Sequence, residues 1–253
     1  QQLVPRDHVG RLPGTQAAAV VHLVDTWELF RPTRDETFVD QKARYVDLHR
    51  PDGKADLLQQ IEQGALGLVA QHRAFGRAIQ TIIAPHLHQY HHLGDWSTQT
   101  DGLPYDPSLA PYQSNGKASG TPDDRWAFTQ ESAAINYASS AALAAASRAL
   151  RGYDDALAAE CLAAARKAWT DEGAARATET GWEAMFRQGA ELGSTLQLLM
   201  ATKEKPYADR FQELVWPALE RAPGFTVAAA VRAIPFFGPE YRERLVPYVR
   251  KHQ

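Results

Sequence analysis

The strongest constraint on the fold is an alanine-rich stretch, residues 132–150, which reads SAAINYASSAALAAASRAL. Nine alanines lie between Ala133 and Ala149. Such small side chains let neighbouring helices approach on both faces, as an inner barrel helix requires; the alternative is that alanine is simply the best helix former. Gly152 suits a left-handed C-terminal cap, and Asp154 can cap a following helix. So short a connection predicts an antiparallel helical hairpin.

Helical periodicity extends to both sides of this hairpin, and the later helices again pair as hairpins. About eight helices are expected, which favours an all-α fold of the α/α toroid type over a repeat solenoid, because no sequence repeat is visible. The whole chain is treated as one domain, with residues 1–14 irregular or non-native. The other predicted helices cover residues 17–30, 55–75, 154–169, 180–202, 206–221, 226–236 and 239–251.

Two segments between these helices lack the same regularity. Residues 33–54 are charged and irregular and end in a Pro-Asp-Gly turn. Residues 78–90 continue apolar, and Pro85 is expected to kink or end any helix there.

Composition excludes several classes of partner. The 253 residues carry a net charge of −3, with acidic and basic residues mixed along the chain. No dense Lys/Arg run and no apolar stretch of membrane-spanning length is present, so neither nucleic acid nor a membrane is a predicted partner. The single cysteine, Cys161, lies among alanines and is predicted to be a buried, inert thiol.

Residues 94–125 form a long segment rich in Gly, Pro, Asp, Ser and Thr, and loops of this length are usually functional or disordered. The aromatic residues Trp96, Tyr105, Tyr112 and Trp126 argue against simple disorder. They either stack against sugar rings or fasten the loop to the core, with Trp96 and Trp126 favoured for a sugar platform.

Charged residues near the end of this loop invite a catalytic interpretation. Asp123 and Asp124 are adjacent carboxylates followed by Arg125. Adjacent side chains usually point apart, and Arg125 offers one of them an ion pair. An ordering role in the loop is therefore favoured over acid–base catalysis.

Histidines and further aspartates raise the question of metal binding. His88 and His92, in the run 86–92, would share one face of a helix, but hydrogen bonding to a substrate or to loops is favoured over a metal site. Asp95 and Asp101 lie in the turn-like pairs Gly94-Asp95 and Asp101-Gly102, and together with Asp106 they could supply oxygen ligands to calcium. Calcium remains a minority alternative to turns. No cofactor is predicted.

Several segments, in this order and spacing, resemble the catalytic domain of glycoside hydrolase family 9, the inverting cellulase family. The likeness runs from residue 15 to the end, is strongest over residues 35–169, and is closest to members with an immunoglobulin-like domain before the barrel. It implies an (α/α)6 barrel, present here in truncated form. The segments are RDETFVDQKARYVDLHRPDGK, the block 86–106, TPDDRWAFT and AALAAASRALRGYDDALAAECLAAARKAW.

The resemblance implies hydrolysis of β-1,4-glucans by single displacement, which needs a carboxylate base and a carboxylic acid ~6.5–9.5 Å apart. In the family the base is the last aspartate of an Asp-Ala-Gly-Asp motif, which this sequence lacks. Asp7 is the only residue at the corresponding place, and the match there rests on Asp7, Arg11 and Gln16. The resemblance implies that the region expected to carry the general acid lies outside this sequence.

The expected function is hydrolysis of internal β-1,4-glucosidic bonds by a parent protein that is secreted or held in the bacterial periplasm or envelope. The alternative is a non-catalytic helical module that binds glycan or protein, so enzymatic activity of this chain stays open. The expected partners are a β-glucan and, through exposed barrel edges, other protein molecules. The predicted substrate-binding residues are Trp96, Tyr105, Trp126, His88, His92, Asp124 and Arg125.

Overall fold

The computed structural model describes residues 13–40, 42–43, 45–83, 101–124, 126–175 and 180–251. The described residues divide into two compact units. One contains the described part of Ile79–Glu131, and the other contains Pro13–Ala78 together with Ser132 onwards. None of the described helices is long and apolar enough to cross a membrane.

The second unit holds all eight α-helices of the described chain, which confirms the predicted all-α class. The helix at 239–251 has its predicted bounds, and most of the others agree within a few residues. The helices are α1 (Pro13–Phe30), α2 (Asp56–Phe75), α3 (Ala133–Ala149), α4 (Asp155–Ala174), α5 (Gly181–Thr202), α6 (Lys205–Arg221), α7 (Pro223–Arg232) and α8 (Pro239–Lys251), with a 3-10 turn at Ile234–Phe236.

The alanine-rich helix α3 is buried on almost every side. It packs against α1, α2, α4 and α5, and its consecutive alanines 144–146 are fully buried. The Ser132 hydroxyl accepts a hydrogen bond from the Ile135 amide at its start, and the Asp154 carboxylate accepts one from the Leu157 amide (2.9 Å) at the start of α4. The predicted inner position of this helix is confirmed.

The helices alternate between two rows. α1 packs on α3 and α3 packs on α5, whereas α2, α4 and α6 each pack on the odd-numbered helix that precedes them. An inner row backed by an outer row of hairpin partners is the layout of an α/α toroid.

Ion pairs bring the C-terminal ends of the inner-row helices together. Arg148 at the end of α3 donates to both carboxylate oxygens of Glu28 in α1 (2.8 and 3.2 Å) and to the Gln197 carbonyl in α5 (3.2 Å). Arg232 at the end of α7 donates to Asp25 in α1 (2.7 Å). We call Asp25, Glu28, Arg148 and Arg232 the inner-row ion-pair cluster. Because α1 and α5 also pack along α3, contacts between the C-terminal halves show that these three helices run in the same direction.

Polar contacts fasten the end of α2 to α3 and α4. The Asn136 side-chain oxygen accepts from the Ala78 amide (3.0 Å), and its nitrogen donates to Glu172 (2.9 Å). Arg77 donates to the same Glu172 oxygen (2.8 Å). One side chain of α3 therefore satisfies the backbone just beyond α2 and orients a carboxylate of α4.

A histidine belongs to the same helix contact. The Nε2 atom of His72 in α2 lies 2.9 Å from the Ser139 hydroxyl of α3. Burial, followed by the positive charges of Lys167 and Arg77, lowers the pKa of His72 to about 4. The imidazole is therefore neutral in the folded protein near neutral pH.

The lone thiol behaves as predicted. Cys161 in α4 is fully buried. Burial, followed by the nearby charge of Glu160, raises the pKa of Cys161 to about 12. The thiol is inert because the reactive thiolate is strongly disfavoured.

Four short strands depart from the sequence prediction. β1 (Thr37–Asp40) and β2 (Tyr45–Leu48) pair antiparallel within residues predicted to be irregular, although the predicted Pro-Asp-Gly turn is present, with Gly53 at φ +84°. β3 (Thr81–Ile83) pairs antiparallel with β4 (Trp126–Phe128). A helix does not continue through residues 79–83, because α2 is capped by Gly76 at φ +73° and β-branched residues then favour an extended chain.

Candidate functional site

The structure describes three of the predicted site residues, Tyr105, Asp124 and Trp126, and all three belong to the first unit. The other predicted residues lie outside the described part of the chain. These are Asp7, His88, His92, Trp96 and Arg125.

Asp123 and Asp124 hold the segment 101–124 in shape. Asp123 Oδ2 accepts a hydrogen bond from the Asp101 amide (2.5 Å), and Asp124 Oδ2 accepts one from the Tyr105 amide (2.6 Å). The two carboxylates therefore bind two backbone amides that lie four residues apart at the beginning of the same segment. The loop-ordering interpretation agrees with these contacts, since both groups serve backbone amides of their own loop.

Backbone pairing reinforces the same segment. The Asp106 amide donates to the Ser119 carbonyl (2.7 Å), and the Ser119 amide donates to the Pro104 carbonyl (2.9 Å). The chain passes so close at Gly120 that a Cβ there would lie 2.0 Å from the Ala110 carbonyl oxygen. The loop is thus a packed structure that needs glycine at this point.

Of the aspartates considered for calcium, Asp95 lies outside the described residues, and Asp101 and Asp106 make turn contacts. Asp101 accepts from the Leu103 amide, and Asp106 accepts from the amide and hydroxyl of Ser108. Hydrogen bonding from Ser108 lowers the pKa of Asp106. Within the described residues, no group of three or more histidine, cysteine or acidic side chains is placed to hold a metal ion. These contacts favour the turn interpretation.

Three aromatic rings of this unit are open to solvent. Trp126 is 49% exposed, Tyr105 44% and Tyr112 85%. Trp126 begins β4 and pairs with Ile83, and the Gln80 amide donates to the Phe128 carbonyl (3.0 Å) at the other end of the strand. The Trp126 backbone is therefore held by a sheet while about half of its side chain stays available to a ligand. Tyr105 lies outside the strands, and its backbone is held by the hydrogen bond from its amide to Asp124.

The second unit contains an apolar groove that the sequence did not predict. It has a volume of about 860 Å³ and lies between the beginnings of α3, α5 and α7 and the second half of α6. We call it the α5–α7 groove. Its larger apolar lining residues are Ile135, Met185, Phe186, Leu214, Pro217 and Phe225.

A sequence signal for this groove exists in retrospect. Gly189 and Gly193 are spaced by one helical turn in the middle of α5, where glycine is unfavourable, and both line the groove. The sequence does not reveal that Phe186 of α5 and Phe225 of α7 both line this groove, because that depends on how four separate helices meet.

The sequence matches no protein-family model and no curated protein. Among solved structures, it is similar to a metagenome-derived glycoside hydrolase family 9 endoglucanase, with a TM-score of 0.60 and 19% identity over 96% of this chain and 42% of that one. A single mutant of a thermostable endoglucanase from Alicyclobacillus acidocaldarius gives 0.60 and 18%, over 94% and 42%. A cellulase of C. cellulolyticum gives 0.58 and 13%, over 96% and 52%.

These similarities concern the fold, because the identities are low. The chain spans about half the length of the structures it matches, or less. The inner and outer helical rows described above correspond to the expected toroid. The chain therefore has the fold of part of a family 9 glycoside hydrolase (α/α)6 barrel.

Proposed function

We propose that this chain is part of a secreted or envelope-located endo-β-1,4-glucanase and that the first unit, the described part of Ile79–Glu131, binds the glucan. We call this unit the loop unit. The observation that carries the proposal is the half-exposed Trp126 on a hydrogen-bonded strand, in a fold shared with endoglucanases. One structure of this fold was solved with a cellobiose-like isofagomine.

The chemistry of the loop suits a sugar. Pyranose rings present C–H faces that pack on aromatic rings, and a ring fixed in advance loses little entropy on binding. Trp126 and Tyr105 supply such rings. Carboxylates accept hydrogen bonds from sugar hydroxyls, and a neutral imidazole can both donate and accept them. These are the roles proposed for Asp124 and for His88 and His92, with Arg125 as a further donor.

Hydrolysis requires more than this surface. An inverting glycosidase activates water with one carboxylate and protonates the leaving oxygen with another, in a single transition state. We propose Asp7 as the base of the parent enzyme, although its flanking sequence differs from the family motif. Bond cleavage with inversion is accordingly proposed for the whole protein.

The binding test uses isothermal titration calorimetry with cellohexaose. Trp126→Ala should weaken binding by roughly 1–3 kcal/mol, because a large stacked ring is lost. Tyr105→Ala should also weaken binding, whereas Tyr45→Ala, a similarly exposed tyrosine of the other unit, should not. Unchanged affinity in folded Trp126→Ala and Tyr105→Ala proteins would reject the proposed surface.

The alternative function is a helical module that binds glycan without cleaving it. The absence of the Asp-Ala-Gly-Asp motif from the sequence favours it. Cellohexaose that is bound and recovered intact would support this alternative for the chain.

A further inference from the structure

The loop unit contains a tight, exposed turn at Asn115 and Gly116. The Asn115 amide donates to the Ala118 carbonyl (3.2 Å), and the Gly120 amide donates to the Gln113 carbonyl (2.9 Å) behind it. Both residues of the turn are exposed to solvent. The sequence contains two asparagines, and Asn115 is the one that glycine follows. Its side-chain amide is therefore open to water and stands next to an unhindered peptide nitrogen.

The side chain of Asn115 is folded back onto its own backbone. Its Oδ1 atom accepts hydrogen bonds from the amides of Lys117 and Ala118, both at 2.9 Å. This is the contact pattern of an Asx turn, in which the side-chain carbonyl curls over the peptide bond that follows the asparagine. Cγ of Asn115 is thereby held close to the nitrogen of Gly116. The two donated hydrogen bonds also polarise the carbonyl and stabilise negative charge that develops on Oδ1.

The nitrogen of Gly116 is suited to attack that carbon. Gly116 has φ +81°, and no other part of the described chain comes within 4 Å of a Cβ built there. Because glycine has no side chain, the approach to its nitrogen is unhindered. The Gly116 amide donates to the Ser114 hydroxyl oxygen (3.0 Å), which can accept the amide proton. Three successive residues therefore supply a proton acceptor, a polarised carbonyl and a nucleophile.

We propose that Asn115 is a modification site, at which the folded chain converts asparagine to aspartate and isoaspartate without an enzyme. The Gly116 nitrogen forms a bond to Asn115 Cγ, and its proton passes by way of Ser114 Oγ to the side-chain NH2 group. The bond from Cγ to that group breaks and ammonia leaves. Water then opens the cyclic imide at either carbonyl, so one water is consumed for each ammonia released. The turn favours the reaction because it holds the two reacting atoms together.

Two other places in the chain lack part of this arrangement. Asp101 Oδ1 accepts from the Leu103 amide (2.8 Å), and Gly102 between them has φ +78°, but a carboxylate is a poor electrophile and has no ammonia to lose. The second asparagine, Asn136, is buried in α3, and both polar atoms of its side chain are hydrogen-bonded. Conversion is therefore expected at Asn115 and not at Asn136.

The modification changes both the charge and the backbone of the turn. It adds one negative charge to a chain of net charge −3. Isoaspartate also lengthens the backbone by one methylene group, which disrupts the pairing between residue 115 and Ala118. Ser119 follows at once, and its backbone pairs with both sequence neighbours of Tyr105. The reaction therefore alters the part of the loop unit that supports an exposed tyrosine.

The test is incubation of the purified chain in mildly alkaline buffer, followed by digestion in mild acid and mass spectrometry of the peptides. The peptide that contains Asn115 should convert with time to aspartate and isoaspartate forms, while Asn136 stays intact. The folded chain should convert at least as fast as the same chain unfolded in urea. Ser114→Ala should slow the conversion several-fold, because the proton acceptor is lost.

A matched pair of glycine variants isolates the attacking nitrogen. Gly116→Ala should slow the conversion at least about tenfold, or ~1.4 kcal/mol in activation free energy, because a methyl group hinders the approach. Gly102→Ala places alanine at another left-handed glycine of the same unit with equally open surroundings. It should convert Asn115 like the wild type. Circular dichroism establishes that each variant is folded.

Three results would overturn the proposal. The first is an Asn115 that stays as intact as Asn136. The second is a rate that Gly116→Ala or Ser114→Ala leaves unchanged, or that Gly102→Ala lowers as much as Gly116→Ala does. The third is conversion that is faster in the urea-unfolded chain than in the folded one, which would show that the turn protects Asn115.

Discussion

At the scale of single residues, the loop unit shows why the role of an aspartate can be predicted from the sequence while its hydrogen-bond partners cannot. The pair Asp123 and Asp124 was expected to order the loop, with Arg125 as an ion-pair partner. The described contacts of the pair are to the amides of Asp101 and Tyr105, about twenty residues away, whereas Arg125 lies outside the described residues. Such partners follow from the path of the chain, which no local pattern encodes.

Gly120 gives a prediction at this scale. An added methyl group would overlap the carbonyl oxygens of Ala110 and Leu109, at 2.0 and 2.8 Å, so the backbone must move. Gly120→Ala should destabilise the loop unit by about 1–3 kcal/mol, the usual cost of overpacking. Thermal unfolding followed by tryptophan fluorescence measures this.

The matched control for this prediction is Gly173→Ala in α4, where no atom is near the added methyl group. It should leave the protein as stable as the wild type or more so, because alanine favours the helix. A Gly120→Ala protein with an unchanged transition would show that the loop has room at this point.

At the scale of elements, long periodic segments were predicted well and short ones were not. The bounds of α2 and α8 agree with the sequence within one residue, because each carries a clear apolar face. α7 begins at Pro223 and ends at Arg232, earlier than predicted at both ends, because proline suits a first turn and Pro235 disfavours continuation. Strands of three or four residues are too short to show alternation, so β1–β4 were missed.

The α2–α3 contact predicts how stability depends on pH. The pKa of His72 is about 4 in the folded protein and 6.5 for a free side chain, so the unfolded chain binds the proton first as pH falls. The contribution of His72 to the free energy of unfolding is complete above pH 6.5. As the pH falls from about 6.5 to 4, this contribution is lost, which lowers the free energy of unfolding by at most ~3 kcal/mol. Urea unfolding across this range measures the loss.

His72→Gln provides the comparison, since glutamine can still bond to Ser139 but does not titrate. Its free energy of unfolding should fall less steeply than that of the wild type between these pH values. Identical slopes for the two proteins would show that His72 is not held neutral by the fold.

At the scale of the whole molecule, the toroidal arrangement was predictable because hairpin-forming helices leave few other ways to bury their apolar faces. The α5–α7 groove was not predictable, since it depends on how α3, α5, α6 and α7 meet.

The sequence also predicts a limit on activity. Without the Asp-Ala-Gly-Asp motif and an identified acid, we expect negligible hydrolysis of soluble β-1,4-glucan by this chain.

Release of reducing sugar by the wild type and by Asp7→Asn tests that limit. Robust activity abolished by Asp7→Asn would identify Asp7 as the base and contradict the prediction. Robust activity that survives Asp7→Asn would place the reacting carboxylates elsewhere, with Asp123 and Asp124 as the next variants.

The inner-row ion-pair cluster has a consequence for the order of assembly on the ribosome. Asp25 and Arg232 are separated by 207 residues along the chain. Synthesis proceeds at about 5–20 residues per second, so α1 exists for roughly 10–40 s before its partner on α7 is made. The helical hairpins close locally within that time, whereas α1 keeps an incomplete set of charge partners until α7 has emerged.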